Sequence, residues 1–408
     1  MGEIQTALKS ACAEKRLLVH CAHARLRRED ASAIGEIAGQ NLDWDYILSE
    51  AAENSIVPLV NKGVREAASG RISGGILDRL KEAGRANTVR CLYLSGELGR
   101  ILSLFRAEGI QAIPYKGPVL ACMAYGDVTL REFEDLDIIV RQRDLAPADA
   151  ILKREGYTPR FPWILSRGAA SALVPGEYNY RDKTRRIMVE LHTEKTLRHF
   201  PVTPDLDDLF AGTQPVAVAG QDISTFSAED TLVLLCLHGS KDFWERLSWV
   251  ADISEMLLSH PGLDWAAIYR RAEEYRSTRI LHLGLRLAGE LLGTETPPEV
   301  RARVEADAEA CEVAQIVAGR LLRRNFPGLN SWERFQFRRR LVPGFVSGVR
   351  YSSRLTLVPT EDDWEMLPLP GFLSPLYLLL RPLRLLRKYG VRRDAAAGTP
   401  PPAGPAGE

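Results

Sequence analysis

The stretch Asp135-Leu136-Asp137-Ile138-Ile139-Val140 constrains the fold of this chain more than any other segment. Its β-branched run, Leu136 to Val140, predicts a strand. Strand side chains alternate, so Asp135 and Asp137 at its entry project from the same face. A second short run, Arg186 to His192, carries Glu190 between Val189 and Leu191. If the two strands are neighbours, three carboxylates converge at one point. Three buried acids repel one another and are costly to hold unless a cation neutralises them. Oxygen ligands of this kind favour magnesium or manganese over zinc. Two such ions can activate an attacking hydroxyl and hold a leaving pyrophosphate.

The segments around these acids read as a compact α+β unit over residues 109–225, within the usual size of a domain. Gln111 to Tyr115 is a short strand, followed by Lys116-Gly117-Pro118 and a helix over Val119 to Tyr125. Pro118 suits a first helical position, where its missing N–H costs nothing. Asp144 is placed to cap a helix through Glu155, which Gly156 closes. Two further strands, Glu177–Arg181 and Arg186–His192, are joined by the polar turn Asp182-Lys183-Thr184. The turn at Lys116-Gly117 lies between strand and helix, so free N–H groups and the helix dipole face one cleft. Gly117 admits a phosphate close to the backbone, and Lys116 supplies a point charge. Arg131 is a candidate second cation for the triphosphate or departing pyrophosphate.

Helical spacing dominates on either side. Residues 1–108 read as a helical region, with Trp44, Ile47, Leu48 and Ala51 on one face behind an Asp43 N-cap, and a long helix from Leu77 to Glu108. Residues 226–390 form a second helical region, opened by a Ser227…Asp230 box. Within it, Thr231 to Ser240 leads into an amphipathic run, KDFWERLSWVADISEMLL. Residues 391–408 are Pro, Gly and Ala with almost no bulky apolar groups and are expected to be disordered. A chain of 408 residues suggests two or three domains.

Composition narrows the function classes. Lys+Arg and Asp+Glu both number 53, for a net charge of +0, which argues against a general nucleic-acid coat. The six cysteines are scattered without a CxxC pair, as expected for reduced thiols in a cytoplasmic protein. The charged N-terminus lacks a signal-peptide core. Gly2 and Thr6 match a myristoylation pattern, but so short a pattern carries little weight. No apolar run reaches the ~18 residues of a membrane-spanning helix. The basic, amphipathic stretch 372–389 reads as a helix packed on the body with its arginines in water; peripheral contact with a membrane is the weaker reading.

With these motifs in place a likeness emerges. YKGPVLACMAYGDVTLREFEDLDIIV followed by VELH resembles the nucleotidyltransferase superfamily with the DNA polymerase beta fold, and within it the bacterial "uncharacterised nucleotidyltransferase" family. That family has a KG turn, an Arg, a D-x-D strand and a later E-x-H strand, carried over here to Lys116-Gly117, Arg131, Asp135 and Asp137, then Glu190 and His192. CLHGSKDFWERLSWVADISEML is similar to its downstream helical segment, with His238, Lys241, Trp244, Leu247, Trp249 and Asp252 in order. The likeness spans residues 40–390. One departure concerns the turn: the wider superfamily places Gly-Ser there, whereas Gly117-Pro118 lacks the hydroxyl.

The resemblance implies an α+β fold, with a small mixed-sheet core flanked by N-terminal and C-terminal helical regions. It also implies an enzyme that binds ATP or another nucleoside triphosphate with two Mg2+ (or Mn2+) ions and moves its NMP to an acceptor hydroxyl or phosphate. Asp135, Asp137 and Glu190 are the expected metal ligands and catalytic residues. Lys116, Gly117, Arg131, His238 and Lys241 are the expected nucleotide or phosphate contacts, and His192 a partner behind the ligands. The acceptor, whether small molecule, saccharide, peptide or RNA, is not specified. Simpler roles stand beside these: a salt bridge from Arg131 to Asp135 or Glu134, a core position for His192, docking of helix on sheet by His238 and Lys241, and core packing for Trp244 and Trp249. Two other functions stay open, a toxin-like transferase acting on a tRNA end or protein hydroxyl, and a non-enzymatic accessory protein that binds nucleotides.

Overall fold

The computed structural model describes residues 2–161, 176–182, 187–193, 206–326, 328–342 and 344, and beyond them a few positions and the helix Tyr377–Gly390. Residues Met1–Arg160 and Gly176–Gly344 form one compact unit. The turn expected at Asp182-Lys183-Thr184 and the tail 391–408 lie wholly or partly outside the described residues.

The architecture is mixed α+β, a small central sheet flanked by helices. Five strands, β1 (Ala112–Pro114), β2 (Asp135–Val140), β3 (Thr158–Pro159), β4 (Glu177–Asp182) and β5 (Ile187–His192), form a sheet of order β1-β2-β5-β4-β3. Only β2 and β5 run parallel; the other neighbours are antiparallel. In register, Asp137 lies opposite Glu190, and Ile139 opposite His192. The strand neighbourhood on which the carboxylate cluster depends is therefore present.

Six helices precede the sheet: α1 (Glu3–Ser10), α2 (Ala13–Cys21), α3 (Arg28–Ile37), α4 (Trp44–Glu53), α5 (Val57–Ala68) and the long α6 (Gly74–Ala107). Asp43 caps α4 by accepting from the Tyr46 N–H at 3.0 Å. Between β1 and β2, α7 (Gly117–Leu120) runs into a wider π turn over Ala121–Tyr125, where an uninterrupted α-helix was expected. The helix α8 (Leu145–Arg154) also differs in detail. Asp144 precedes it but makes no side-chain cap, because a 3-10 turn over Gln142–Asp144 holds Asp144 in helical rather than extended backbone.

After a short helix α9 (Leu206–Ala211) comes a hairpin that sequence patterning does not flag, β6 (Gln214–Val218) and β7 (Gln221–Thr225). Its two-residue turn is Ala219-Gly220, both at positive φ, and alanine at such a position is not a hairpin signal. The chain then continues as α10 (Ala228–Lys241), α11 (Leu247–Ser259), α12 (Trp265–Glu274), α13 (Thr278–Leu292), α14 (Pro298–Ala306), α15 (Ala308–Leu321) and α16 (Ser331–Leu341). Ser227 caps α10 through the Asp230 N–H. The amphipathic run after residue 240 is broken by a turn over residues 242–246, where Phe243 and Trp244 both adopt positive φ (62° and 53°).

Trp244 is a core residue at 1% exposure, its indole N–H donating to Ser240 Oγ at 3.0 Å. Its ring lies against Gly239 and Gly284; a Cβ at Gly239 would meet ring carbons at 2.8 Å. The helices before and after the sheet are bonded to each other. Asn54 accepts from Leu247 N–H and Ser248 N–H, and Glu255 accepts from Ala24 N–H at 3.0 Å. Arg131, ahead of β2, donates from Nε and Nη2 to Asp252 of α11 at 2.8 and 3.0 Å, and Tyr125 Oη donates to the same carboxylate at 2.8 Å.

The helix α17 (Tyr377–Gly390) belongs to a separate unit. It is amphipathic as expected, but Arg381 and Arg384 are not free in water. Arg381 and Arg384 both pair with Asp363, while Leu379 and Leu383 are exposed. Buried Arg381 and half-buried Arg384 sharing one carboxylate explain the reversal, since an unpaired buried charge is the costlier state.

Two stability outcomes follow. Gly239→Ala should destabilise the protein by about 1–3 kcal/mol through overpacking against Trp244, although alanine gains ~1 kcal/mol of helix propensity. Urea unfolding reads this directly, and an unchanged midpoint would mean that the ring moves aside. Arg131→Met should cost about 3–5 kcal/mol by leaving Asp252 buried without its cation. Arg131→Met/Asp252→Leu should recover much of that loss.

Candidate metal centre and cleft

Period-2 alternation on β2 turns Leu136, Ile138 and Val140 to the core and leaves Asp135, Asp137 and Ile139 on the other face. On β5 the same face carries Met188, Glu190 and His192. Asp137, Glu190 and His192 each offer one ligand atom, and these atoms lie within 4.8 Å of one another. They form a candidate metal-binding triad. His192 Nε2 is 2.9 Å from Asp137 Oδ1 and 3.5 Å from Glu190 Oε2. His192 thus lies within reach of the same candidate set as Asp137 and Glu190, and its Nδ1 has no hydrogen-bond partner among the described residues.

Lys116 Nζ donates to the same Asp137 Oδ1 at 3.2 Å. Two cationic donors on one carboxylate set the electrostatics. Burial alone would raise the Asp137 pKa, but Lys116 and His192 outweigh it and hold the carboxyl well below its ordinary range. Asp135 moves the other way. Burial pushes it up, and the charges of Asp137 and Glu190 add to the rise. Burial would lower His192, yet its bonds to Asp137 and Glu190 lift it to about 9. Lys116 is likewise raised, since the pull of Asp137, Asp135 and Glu190 exceeds the effect of burial. Two carboxylates and an imidazole nitrogen converging within 4.8 Å form a donor set that fits a divalent cation.

The turn before α7 reaches the same place. Gly117 sits at φ 53°, and a Cβ there would be 3.4 Å from the Asp135 carbonyl oxygen. The left-handed backbone favours glycine here, and the missing Cβ keeps the strand-to-turn approach open. Lys116, Gly117, Arg131, Asp135, Asp137 and His238 line one cavity of about 530 Å³, within the range of small-molecule sites. Arg131 is on its wall, although Asp252, and neither Asp135 nor Glu134, receives its Nε and Nη2. His238 packs edge-on to Trp249 and lies 3.2 Å from Asp242. Burial, then Lys116 and Lys241, hold its pKa well below the ordinary value, so it is neutral at pH 7. Lys241 reaches Glu177 on β4 at 3.5 Å, away from the residues lining the cavity.

Sequence reasoning missed Glu177 and Asn179. The β4–β5 register sets them opposite His192 and Glu190, so they share the acidic face of the sheet. The alternation in EYNYRD, with Tyr178 and Tyr180 buried, is the signal that places them there. Lys241 and His192 pull the Glu177 carboxyl below its ordinary range against the effect of burial.

Comparison with known proteins adds a family. No curated protein matches the chain. Among solved structures, an antigenic nucleotidyltransferase-like protein from Paracoccidioides brasiliensis aligns at 15% identity over 52% of this chain and 92% of its own, with a TM-score of 0.34. The model of the family described as "Uncharacterised nucleotidyltransferase" matches residues 40–293, a span that holds the Lys116-Gly117 turn, both aspartates, the Glu190–His192 strand and α10 to α13. Covering more than half of the sequence, that match shows that the chain belongs to the uncharacterised nucleotidyltransferase family.

Proposed function

We propose that the protein transfers a nucleoside monophosphate from a nucleoside triphosphate to an acceptor hydroxyl or phosphate, releasing pyrophosphate. The observation that carries this reading is the parallel register of β2 and β5, which sets Asp137 opposite Glu190 beside the Lys116-Gly117 turn. Asp135, Asp137 and Glu190 would hold divalent cations, two of magnesium or manganese, with His192 joining them or orienting Asp137. The bound cations supply charge neutralisation for the triphosphate and lower the cost of ionising the acceptor oxygen.

The protein's own residues do the rest. Lys116 is held in the cavity wall by Asp137, where its ammonium would meet a phosphate oxygen entering beside that carboxylate. The Gly117 backbone at the start of α7 lets an anion approach without a side chain in its way. Arg131 is oriented by Asp252, a geometry that keeps its charge at one edge of the cavity to balance the departing pyrophosphate. Neutral His238 borders the same space as a hydrogen-bonding group for base or ribose. The acceptor oxygen bonds to the α-phosphorus, the bond from that phosphorus to the β-bridging oxygen breaks, and Glu190 takes the acceptor's proton.

Calorimetry with each nucleoside triphosphate in magnesium or manganese tests this. The native protein should show metal-dependent binding that Asp135→Asn/Asp137→Asn weakens by roughly 100-fold or more, because even the outer partners of metal ligands are worth about 10–100-fold. Binding that is indifferent to metal, or equal in the double variant, would overturn the reading. Glu190→Gln should lower the transfer rate by about 10²–10⁴, measured as pyrophosphate release, while nucleotide binding survives.

A further inference from the structure

The helix α17 is turned inside out for a helix in water. Buried Arg381 and half-buried Arg384 point inward to Asp363, which is itself 2% exposed. Leu376, just ahead of the helix, and Leu379 and Leu383 within it are exposed, Leu379 and Leu383 to 67% and 62%. Spacings of three and four residues set these leucines in one row along the helix. Met366 and Leu367 of the same unit are exposed as well, in a segment fastened to α17 by Tyr377. Its hydroxyl donates to the Leu367 carbonyl and accepts from the Leu369 N–H at 2.9 Å.

Holding cations inside and leucines in water is unfavourable on both counts, unless the leucines have an apolar medium to enter. Exposed apolar surface of this kind marks a site of contact with a protein or a membrane. Two observations choose the membrane. Arg381 and Arg384 share the single carboxylate of Asp363, and the sequence then adds Arg387, Lys388, Arg392 and Arg393. Between residues 366 and 393 there are six basic residues and no acidic one, which complements an anionic lipid surface. The row itself is wholly aliphatic. Leucine is under-represented among the residues that dominate protein interfaces, where Trp, Tyr and Arg lead. Leucines on a strongly basic segment are instead the composition of helices that lie in a membrane interface.

We propose that α17 binds the surface of an anionic bilayer, with Leu376, Leu379 and Leu383 entering the boundary between headgroups and acyl chains. The helix lies along the surface and does not cross it. Its 14 residues reach about 21 Å at the helical rise, against a hydrocarbon core of about 30 Å. The pairing of Arg381 and Arg384 with Asp363 gives the helix its orientation, since it holds the opposite side inward. The proposal rests on neither the metal centre nor the transferase reading. It also reverses the order of the two roles that sequence alone assigns to residues 372–389.

Flotation of the full-length protein with vesicles tests this, using phosphatidylcholine alone and an equal mixture with phosphatidylglycerol. Binding to the mixed vesicles should be tighter by about 10-fold or more. Raising the ionic strength from about 0.1 M to about 1 M, which shortens the Debye length from about 10 Å to about 3 Å, should remove most of that preference. Arg387→Gln/Lys388→Gln should narrow it in the same way. Leu379→Ser/Leu383→Ser should weaken binding to the mixed vesicles by about 10-fold or more, with thermal melts unchanged because both side chains are exposed. Sedimentation velocity of the native protein and the leucine variant covers the other occupant. Native dimers that the variant dissolves, in a protein that leaves the vesicles unbound, would assign the row to a second copy of the chain and overturn the proposal. Binding retained in full by the leucine variant, or equal affinity for neutral and anionic vesicles, would overturn it as well.

Discussion

Concentrated negative charge inside the protein is the constraint around which this structure is organised. Asp135, Asp137, Glu177 and Glu190 share one face of the sheet, and that arrangement is stable only if positive charge is brought to it. The chain answers from three directions. Lys116 comes from the turn before α7, His192 from β5 itself, and Lys241 from the end of α10. Each of these elements is thereby tied to the sheet by electrostatics as well as by packing. Arg131 extends the scheme outward by holding Asp252 and, through it, α11. The same interactions that fix the cleft thus fix the helices around it.

Much of this was legible in the sequence because short-range rules govern it. The alternation in DLDIIV is a local signal for a half-buried strand, and Asp43 and Ser227 act as helix caps in the expected places. The convergence of Asp137 and Glu190 was not local, since it needed β2 and β5 to be neighbours across the 46 residues between Val140 and Ile187, and no short-range rule gives that pairing. What escaped notice depended on tertiary context. The β6–β7 turn uses Ala219 where patterning looks for asparagine or glycine. The break at Phe243 and Trp244 is hidden in an apolar run that is helical on both sides, because Trp244 is pulled into the core between Gly239 and Gly284. The partner of Arg131 is 121 residues away, and nothing in the sequence near Arg131 distinguishes Asp252 from Asp135 or Glu134.

The break after α10 has effects beyond its own geometry. Because the chain turns sharply at residues 242–246, Glu245 and Arg246 become a thin partition between two cavities instead of two positions on a helix. The partition is braced from behind by Asn54, whose side chain and carbonyl accept from the first residues of α11, and by Arg320, which donates to the Phe243 carbonyl. A wall stiffened from both sides keeps its shape where the two cavities meet.

The bonds that join the N-terminal helices to α11 also set an order of events in the making of the protein. Ala24 is 231 residues from Glu255, and Asn54 is 193 from Leu247. At ribosomal speeds of roughly 5–20 residues per second, the first helices wait on the order of tens of seconds for the segment they pack against. During that interval the faces of α2, α4 and α5 that end in the core are open to solvent and to other chains. Long-range closure of this kind slows folding and leaves collapsed intermediates exposed. The nascent chain is therefore most exposed to aggregation before residue 255 emerges.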